Sequence, residues 1–387
     1  MQLNALFGRL LVVVVATLSA SDNAVAVPLA AASDVSAVGQ GSGNTTVARP
    51  GPAPRRLPLT PVDGNFGYTI SIPIGKNSGT YKLWMDTLSS DSWVYSDRDP
   101  TIGAHHGVAW GTLPEAKAHH GSLWQVPYDG GAVARGVMEQ DHFDIAGAKV
   151  LQSFGIAGQV EGWMGSVDID GILGFGTSLG ARQEVVFKKI PNLVQSLAQQ
   201  SITPAPVIGW YFPHSGDTAA EGEVSFGGPN PAKYNPATLS PPMPNTNTDG
   251  RWSVSVTKSA VDGEAMKIAP RQALLSTTTS FIMMSARDAA VLNLKLAAER
   301  DAGTGVYSMP CNVKKRISFT IGNQDWAIDP VLTETPDARG NCVSAIQVAP
   351  AEPLLDTWIF GTSFMSNAYV IMDYAKNTVQ LAQMRTE

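Results

Sequence analysis

Along most of this chain, apolar residues come in short runs separated by glycine- and proline-bearing breaks. Tyr68-Thr69-Ile70-Ser71-Ile72 and Trp252-Ser253-Val254-Ser255-Val256 alternate apolar and polar positions. A period of two places alternate side chains on opposite faces of a sheet, so both runs read as half-buried strands. Gly64, Gly75, Gly79, Gly130, Gly131, Gly227 and Gly228 punctuate such runs. Helical periodicity is confined to a few stretches, of which residues 189–200 and 286–300 are the best. Composition sharpens the picture. Of 387 residues, 37 are Gly and 26 are Pro, as a turn-rich all-β protein requires. With 44% hydrophobic and 16% charged residues, the chain is neither a disordered charged tail nor a coiled coil. A net charge of −6 supplies no basic footprint for nucleic acid.

The N-terminus reads as an address. Arg9 precedes the apolar run Leu10 to Leu18, which is too short for a bilayer span of about 20 residues. Ala24-Val25-Ala26 fits a cleavage site, so residues 1–26 read as a secretory signal peptide. No later run reaches spanning length, and the expected product is a secreted or lumenal monomer without a membrane span. Residues 27–58 read as a flexible pro-segment or linker. It carries the sequon Asn44-Thr45-Thr46, expected to be glycosylated, and Arg55-Arg56. That pair is either a dibasic processing site or two solvated charges. Cys311 and Cys342 stand 31 positions apart, and the secretory address makes a disulfide their expected state.

An internal repeat divides the remainder. Leu83-Trp84-Met85-Asp86-Thr87-Leu88-Ser89-Ser90 is followed by Gly171-Ile172-Leu173-Gly174. Ala273-Leu274-Leu275-Ser276-Thr277-Thr278-Thr279-Ser280 is followed at similar distance by Trp358-Ile359-Phe360-Gly361. Each copy is an apolar strand ending in a polar loop, with an apolar pair and a glycine behind it. Two related lobes are expected, over residues 59–213 and 214–387.

These residues resemble the pepsin-like aspartic proteases, and the fungal secreted members most. Asp86-Thr87-Leu88-Ser89-Ser90-Asp91-Ser92-Trp93-Val94 is similar to the family's first catalytic loop. Trp124 to Gly131 is similar to its flap hairpin, with Tyr128 at the flap tyrosine. Asp170 to Gly174, Asp356 to Phe364 and Val370 to Asp373 resemble further family segments. The resemblance implies a bilobal, all-β fold of two barrel-like lobes around a central cleft, with few short helices. It also places a disulfide in the second lobe at Cys311 and Cys342, and implies no cofactor.

The catalytic pattern departs from the family. Peptide hydrolysis there needs two carboxylates that share a proton around one water. Asp86 stands at the first position, and Ser276 stands where the second Asp belongs. A serine hydroxyl is neutral and cannot trade that proton. Leu88 and Thr278 replace the two loop glycines and are expected to crowd the cleft floor. Thr87 and Thr277 retain the threonines that cross-brace the loops, and Ser89 and Thr279 the hydroxyls expected to flank the carboxylates. Residues 27–58 contain no Lys and only Arg49, Arg55 and Arg56, unlike the basic pro-segments that cover the family's acidic pair.

Other chemistries have little support. His105-His106 and His119-His120 are neighbours whose side chains would point to opposite faces of a strand, without a set to complete a metal site. No G-x-S-x-G elbow supports a serine hydrolase. Three readings therefore stand: a pseudoprotease whose cleft binds a peptide, protein or hydrophobic small molecule; a repurposed enzyme of a fungal biosynthetic pathway using Asp86; and a weak acid endopeptidase.

Overall fold

The alternating runs form extended sheets in the computed structural model. It describes residues 52–385 apart from 63–66, 76–78, 98–106, 108–121, 129–130, 183, 186–187, 215–220, 332–339 and 350–355. The expected signal peptide, most of the expected linker with Asn44, and both histidine pairs lie outside the described residues. The first half supplies β1 (Arg55–Pro61), β2 (Tyr68–Pro73), β3 (Thr80–Asp86), β4 (Trp93–Tyr95), β5 (Leu123–Pro127), β6 (Val133–Ile145), β7 (Ala148–Glu161) and β8 (Gly171–Gly174). The short β9 (Glu184–Val185) and β10 (Lys188–Lys189) precede helix α1 (Leu193–Gln199). Then come β11 (Val207–Tyr211), β12 (Gly222–Phe226), β13 (Met243–Pro244), β14 (Ser253–Val261), β15 (Glu264–Ala265), β16 (Arg271–Leu275) and β17 (Ile282–Met284). Helix α2 (Ala286–Leu296) leads to β18 (Glu299–Arg300), β19 (Tyr307–Pro310), β20 (Ile317–Ile321), β21 (Gln324–Ile328), β22 (Asn341–Val343), β23 (Ile346–Val348) and β24 (Thr357–Phe360). The one-turn α3 (Thr362–Met365), β25 (Tyr369–Asp373) and β26 (Thr378–Ala382) complete the fold.

The repeat seen in the sequence is a repeat of topology. In the first half β3 runs parallel to β8, β8 antiparallel to β4, and β4 parallel to β7. In the second, β16 runs parallel to β24, β24 antiparallel to β17, and β17 parallel to β23. Each set starts from an antiparallel neighbour, β2 or β14. The long hairpin of β6 and β7 turns through Ala146 and Gly147, both at positive φ (49° and 79°). Two successive positive values match the right-handed twist of the flanking strands.

Several expected boundaries need correction. Arg55–Pro58 belongs to a strand, not to a flexible linker: β1 lies between β12 and β2, with Arg55 opposite Phe226 and Arg56 opposite Ser225. The lobes expected on either side of 213/214 share one sheet at that point. β11 pairs with β12 and β25 in a sheet that continues through β1 into the first half. The first helix starts later than 189. Asn192 caps it, its side chain accepting from Gln195 N–H at 3.1 Å while Gln195 Oε1 accepts from Asn192 N–H at 3.2 Å. The second stops at Leu296 because Ala297 turns left-handed (φ 58°), and residues 299–300 pair with β19.

Buried aromatic residues link the two halves, and Trp252 is fully buried. Trp252 donates its Nε1–H to the carbonyl of Phe175 at 2.9 Å, and the hydroxyl of Tyr374 donates to the same carbonyl at 2.5 Å. Burying an aromatic of this size stabilises by about 1.5–3 kcal/mol, provided its polar atom is bonded. Among the described residues, no helix is long and apolar enough to cross a membrane.

Cys311 and Cys342 form a disulfide, with Cα atoms 4.9 Å apart, at the paired ends of β19 and β22. Replacing both with Ser is expected to lower stability by about 2–4 kcal/mol, read from denaturant unfolding. An unchanged midpoint would show that the pairing of β19 with β22 holds this corner without the bridge.

Candidate active site

The site is assembled where the two repeated strand pairs end. Asp86 is the last residue of β3 and lies opposite Gly174 of β8. Ser276 directly follows β16, and its N–H donates to the carbonyl of Phe360 at 2.9 Å. The glycines behind the apolar pairs have a steric purpose. A Cβ on Gly174 would lie 2.5 Å from Asp91 N, and one on Gly361 would lie 2.2 Å from the carbonyl oxygen of Thr279. Any side chain at either position would push the loop away from its supporting strand.

The loops are joined by a buried reciprocal brace. Thr87 N–H donates to Thr277 Oγ1 at 3.2 Å, and Thr277 N–H to Thr87 Oγ1 at 3.1 Å. Each hydroxyl then donates to a carbonyl across the junction, Thr87 to Leu275 at 2.7 Å and Thr277 to Met85 at 2.5 Å. The cross-brace expected from the resemblance is therefore present.

Asp86 is fully buried. Its Oδ1 accepts from Leu88 N–H at 2.8 Å and from the Thr278 hydroxyl at 3.4 Å, whereas Oδ2 has no hydrogen-bond partner. Burial pushes the carboxyl up to about 7, outweighing the Leu88 and Ser89 peptide groups and the Thr278 hydroxyl, which favour the charged form. Ser276, also fully buried, reproduces the local bond of its counterpart: its Oγ accepts from Thr278 N–H at 3.3 Å. Thr278 Oγ1 lies 3.4 Å from Ser276 Oγ as well, so one threonine hydroxyl links the two positions.

Ser89 Oγ accepts from Asp91 N–H at 3.2 Å, and Thr279 Oγ1 from Phe281 N–H at 3.4 Å, each closing a turn two residues ahead as serine and threonine readily do. The Ser89 side chain also bonds the Tyr128 phenol, and it is the Thr278 hydroxyl that reaches the Asp86 carboxylate. Thr278 stands at a loop position read only for its bulk, so nothing in the sequence pattern announced its bond. Leu88 and Thr278 are both buried, at 3% exposure each. Neither has a positive φ, so these side chains are carried without backbone strain.

Tyr128 closes over the site from the end of β5. It is buried, and its hydroxyl accepts from Trp93 Nε1–H at 2.7 Å, which ties it to the strand that follows the Asp86 loop. Burial first, then the charge of Asp86, holds the phenol well above its usual range. Trp93 stacks on Trp124, with ring centroids 6.4 Å apart. A recess of about 20 Å³, room for about one water, opens beside Leu88 among Ser89, Asp91, Val126, Arg182, Asp249 and Arg251. Asp91 accepts from Arg182 N–H with both oxygens, and Asp249 pairs with Arg251. Arg182, Asp249 and Arg251 come from segments distant in sequence, and no local motif marks them. Among the described residues, no group of three or more His, Cys, Asp or Glu side chains is arranged to hold a metal.

Comparisons with known proteins agree with this geometry. The chain is 28% identical over 348 residues to a probable aspartic-type endopeptidase CTSD of Arthroderma benhamiae, covering 87% of this chain and 64% of that protein. It is 25% identical to the aspartic-type endopeptidase ctsD of Aspergillus fumigatus, covering 82% and 66%. It is also 25% identical to rhizopuspepsin-1 of Rhizopus niveus, covering 88% and 84%. The chain thus spans just under two thirds of the length of the CTSD proteins it matches here. The family model for eukaryotic aspartyl protease matches residues 67–384, and the chain belongs to that family.

Proposed function

We propose that this chain is a secreted pseudoprotease: a family member whose cleft between the lobes holds a peptide, protein or hydrophobic small molecule without cleaving it. The observation that carries the reading is Ser276. It occupies the position related by the repeat to Asp86, and its Oγ makes the same turn bond as the Asp86 carboxylate. The serine thus does the structural work of an aspartate and none of its acid–base work. Peptide hydrolysis needs a base to take a proton from water while an acid gives one to the carbonyl oxygen. A single carboxyl is one or the other at any instant. The relatives' names denote endopeptidases, and that activity is the reading set aside here. Secretion is supported by the apolar N-terminal run and the disulfide.

An unstructured protein substrate incubated with this chain between pH 3 and 7 is expected to yield no new termini by mass spectrometry. Cleavage blocked by a statine-type peptide would overturn the proposal in favour of a weak acid endopeptidase. The variant combining Ser276→Asp, Leu88→Gly and Thr278→Gly is expected to gain acid proteolysis inhibited by the same peptide. A folded triple variant that cleaves nothing would place the lesion outside these three positions.

A second reading is favoured by one specific observation, the buried Asp86 oxygen without a partner. It would suit a lone acid or base acting on a non-peptide substrate. Asp86→Asn tests the titration of this carboxyl through the pH dependence of stability, and its role in the site through ligand affinity or turnover. With the carboxyl raised from 3.8 to about 7, the folded protein keeps a proton that the unfolded chain has lost. The resulting stability is fully present below the unfolded value and is lost as pH rises through the folded value, at about 1.4 kcal/mol per pH unit in between. The melting temperature of the parent is therefore expected to fall, relative to Asp86→Asn, between pH 4 and 7. Parallel melting curves would show that Asp86 titrates at its ordinary value, and unchanged ligand affinity or turnover in Asp86→Asn would remove it from the site.

A further inference from the structure

Leu88 is buried in an apolar cluster whose other buried members all come from the second half of the chain: Leu274, Phe281, Met283, Val306, Val343 and Ile359. It therefore crosses the junction between the repeated units. Its own N–H donates to the Asp86 carboxylate at 2.8 Å, which places this cluster beside the candidate site. The side chain is only 3% exposed, and its backbone is not in the left-handed region, so this placement involves no backbone strain there. Leu88 also borders the small polar recess formed with Ser89, Asp91 and Arg182. One leucine thus separates an apolar region of the second half from a polar opening.

We propose that Leu88 is the specificity-determining residue of the cleft: its side chain occupies an apolar recess of the second lobe beside Asp86 and excludes ligands that would place an apolar group there. The inference rests on the cleft being a ligand site and narrows its ligand class. A peptide or small molecule held here presents a small or polar group toward Leu88, and its larger apolar groups lie elsewhere. The recess is built from aliphatic, thioether and aromatic side chains, so truncating Leu88 should leave an apolar cavity reached from the polar opening. Apolar cavities take up benzene or xenon.

The test uses those two probes, not an unidentified ligand, and so does not depend on what the cleft binds in nature. Leu88→Ala is expected to bind benzene saturably, read as a rise in melting temperature with benzene concentration, whereas the parent shows no rise. Xenon is expected at the vacated position in pressurised crystals of Leu88→Ala. Leu88→Val, a milder truncation, covers the case in which the alanine variant does not fold, and should admit xenon alone. Leu88→Met should exclude both probes as the parent does. A folded Leu88→Ala that takes up neither probe, a folded Leu88→Val without xenon when the alanine variant fails to fold, or a parent that takes up both overturns the proposal. Failure of the non-proteolytic reading would appear separately, as cleavage of the unstructured substrate by the parent.

Discussion

The reciprocal brace between Thr87 and Thr277 is the constraint on which the rest of the site depends. It joins loops 190 residues apart through four buried hydrogen bonds, two of them between a threonine hydroxyl and a carbonyl across the junction. Each such bond contributes about 0.5–1.5 kcal/mol net, but a buried donor or acceptor left alone costs about 1–3 kcal/mol. The brace is therefore hard to change piecemeal, because losing one threonine side chain leaves the other's buried N–H without its acceptor. By fixing residues 87 and 277 it also fixes residues 86 and 276, whatever their side chains. The fold thus presents two repeat-related positions and fills one of them with a carboxylate and the other with a serine.

A lone carboxyl in that frame has electrostatic surroundings unlike those of a carboxylate pair. In a pair, like charge forces one proton to be shared. Here burial alone does the main work on Asp86, and it prevails over two peptide N–H groups and the Thr278 hydroxyl. The Tyr128 phenol feels the same surroundings and keeps its proton. The surroundings of the Asp86 carboxyl are accordingly rich in hydroxyls, with Ser276, Thr278 and Tyr128 all neutral.

Much of this was legible in the chain. The alternation of Tyr68 to Ile72 and Trp252 to Val256 gives real strands, because one face of each meets the core. The repeated strand–loop–glycine pattern located Asp86, Ser276 and both bracing threonines, because it reports backbone geometry that only certain residues satisfy. β1 was not legible. Arg-Arg-Leu-Pro-Leu-Thr-Pro carries two charges and two prolines, and only its seat between β12 and β2 makes it a strand. The helix end at Ala297 was missed because a left-handed alanine has no sequence signature. The bond of the Thr278 hydroxyl to Asp86 was not legible, because hydroxyl direction is set by local geometry below the resolution of a motif.

Buried polar atoms are as a rule paired, and those around Asp86 largely follow it. Ser276 Oγ receives a peptide N–H and Thr278 Oγ1 touches both Asp86 and Ser276, while Leu88 is packed on second-half apolar side chains. Within this group of residues the stranded atom is Asp86 Oδ2. An orphaned, fully buried carboxylate oxygen is costly, and replacement by a neutral side chain would remove the cost. Its presence among otherwise satisfied neighbours concentrates the unmet bonding capacity of this group on one atom beneath the flap. That is the atom a bound ligand or substrate would be expected to engage, and it is where the binding and chemical readings of this cleft converge.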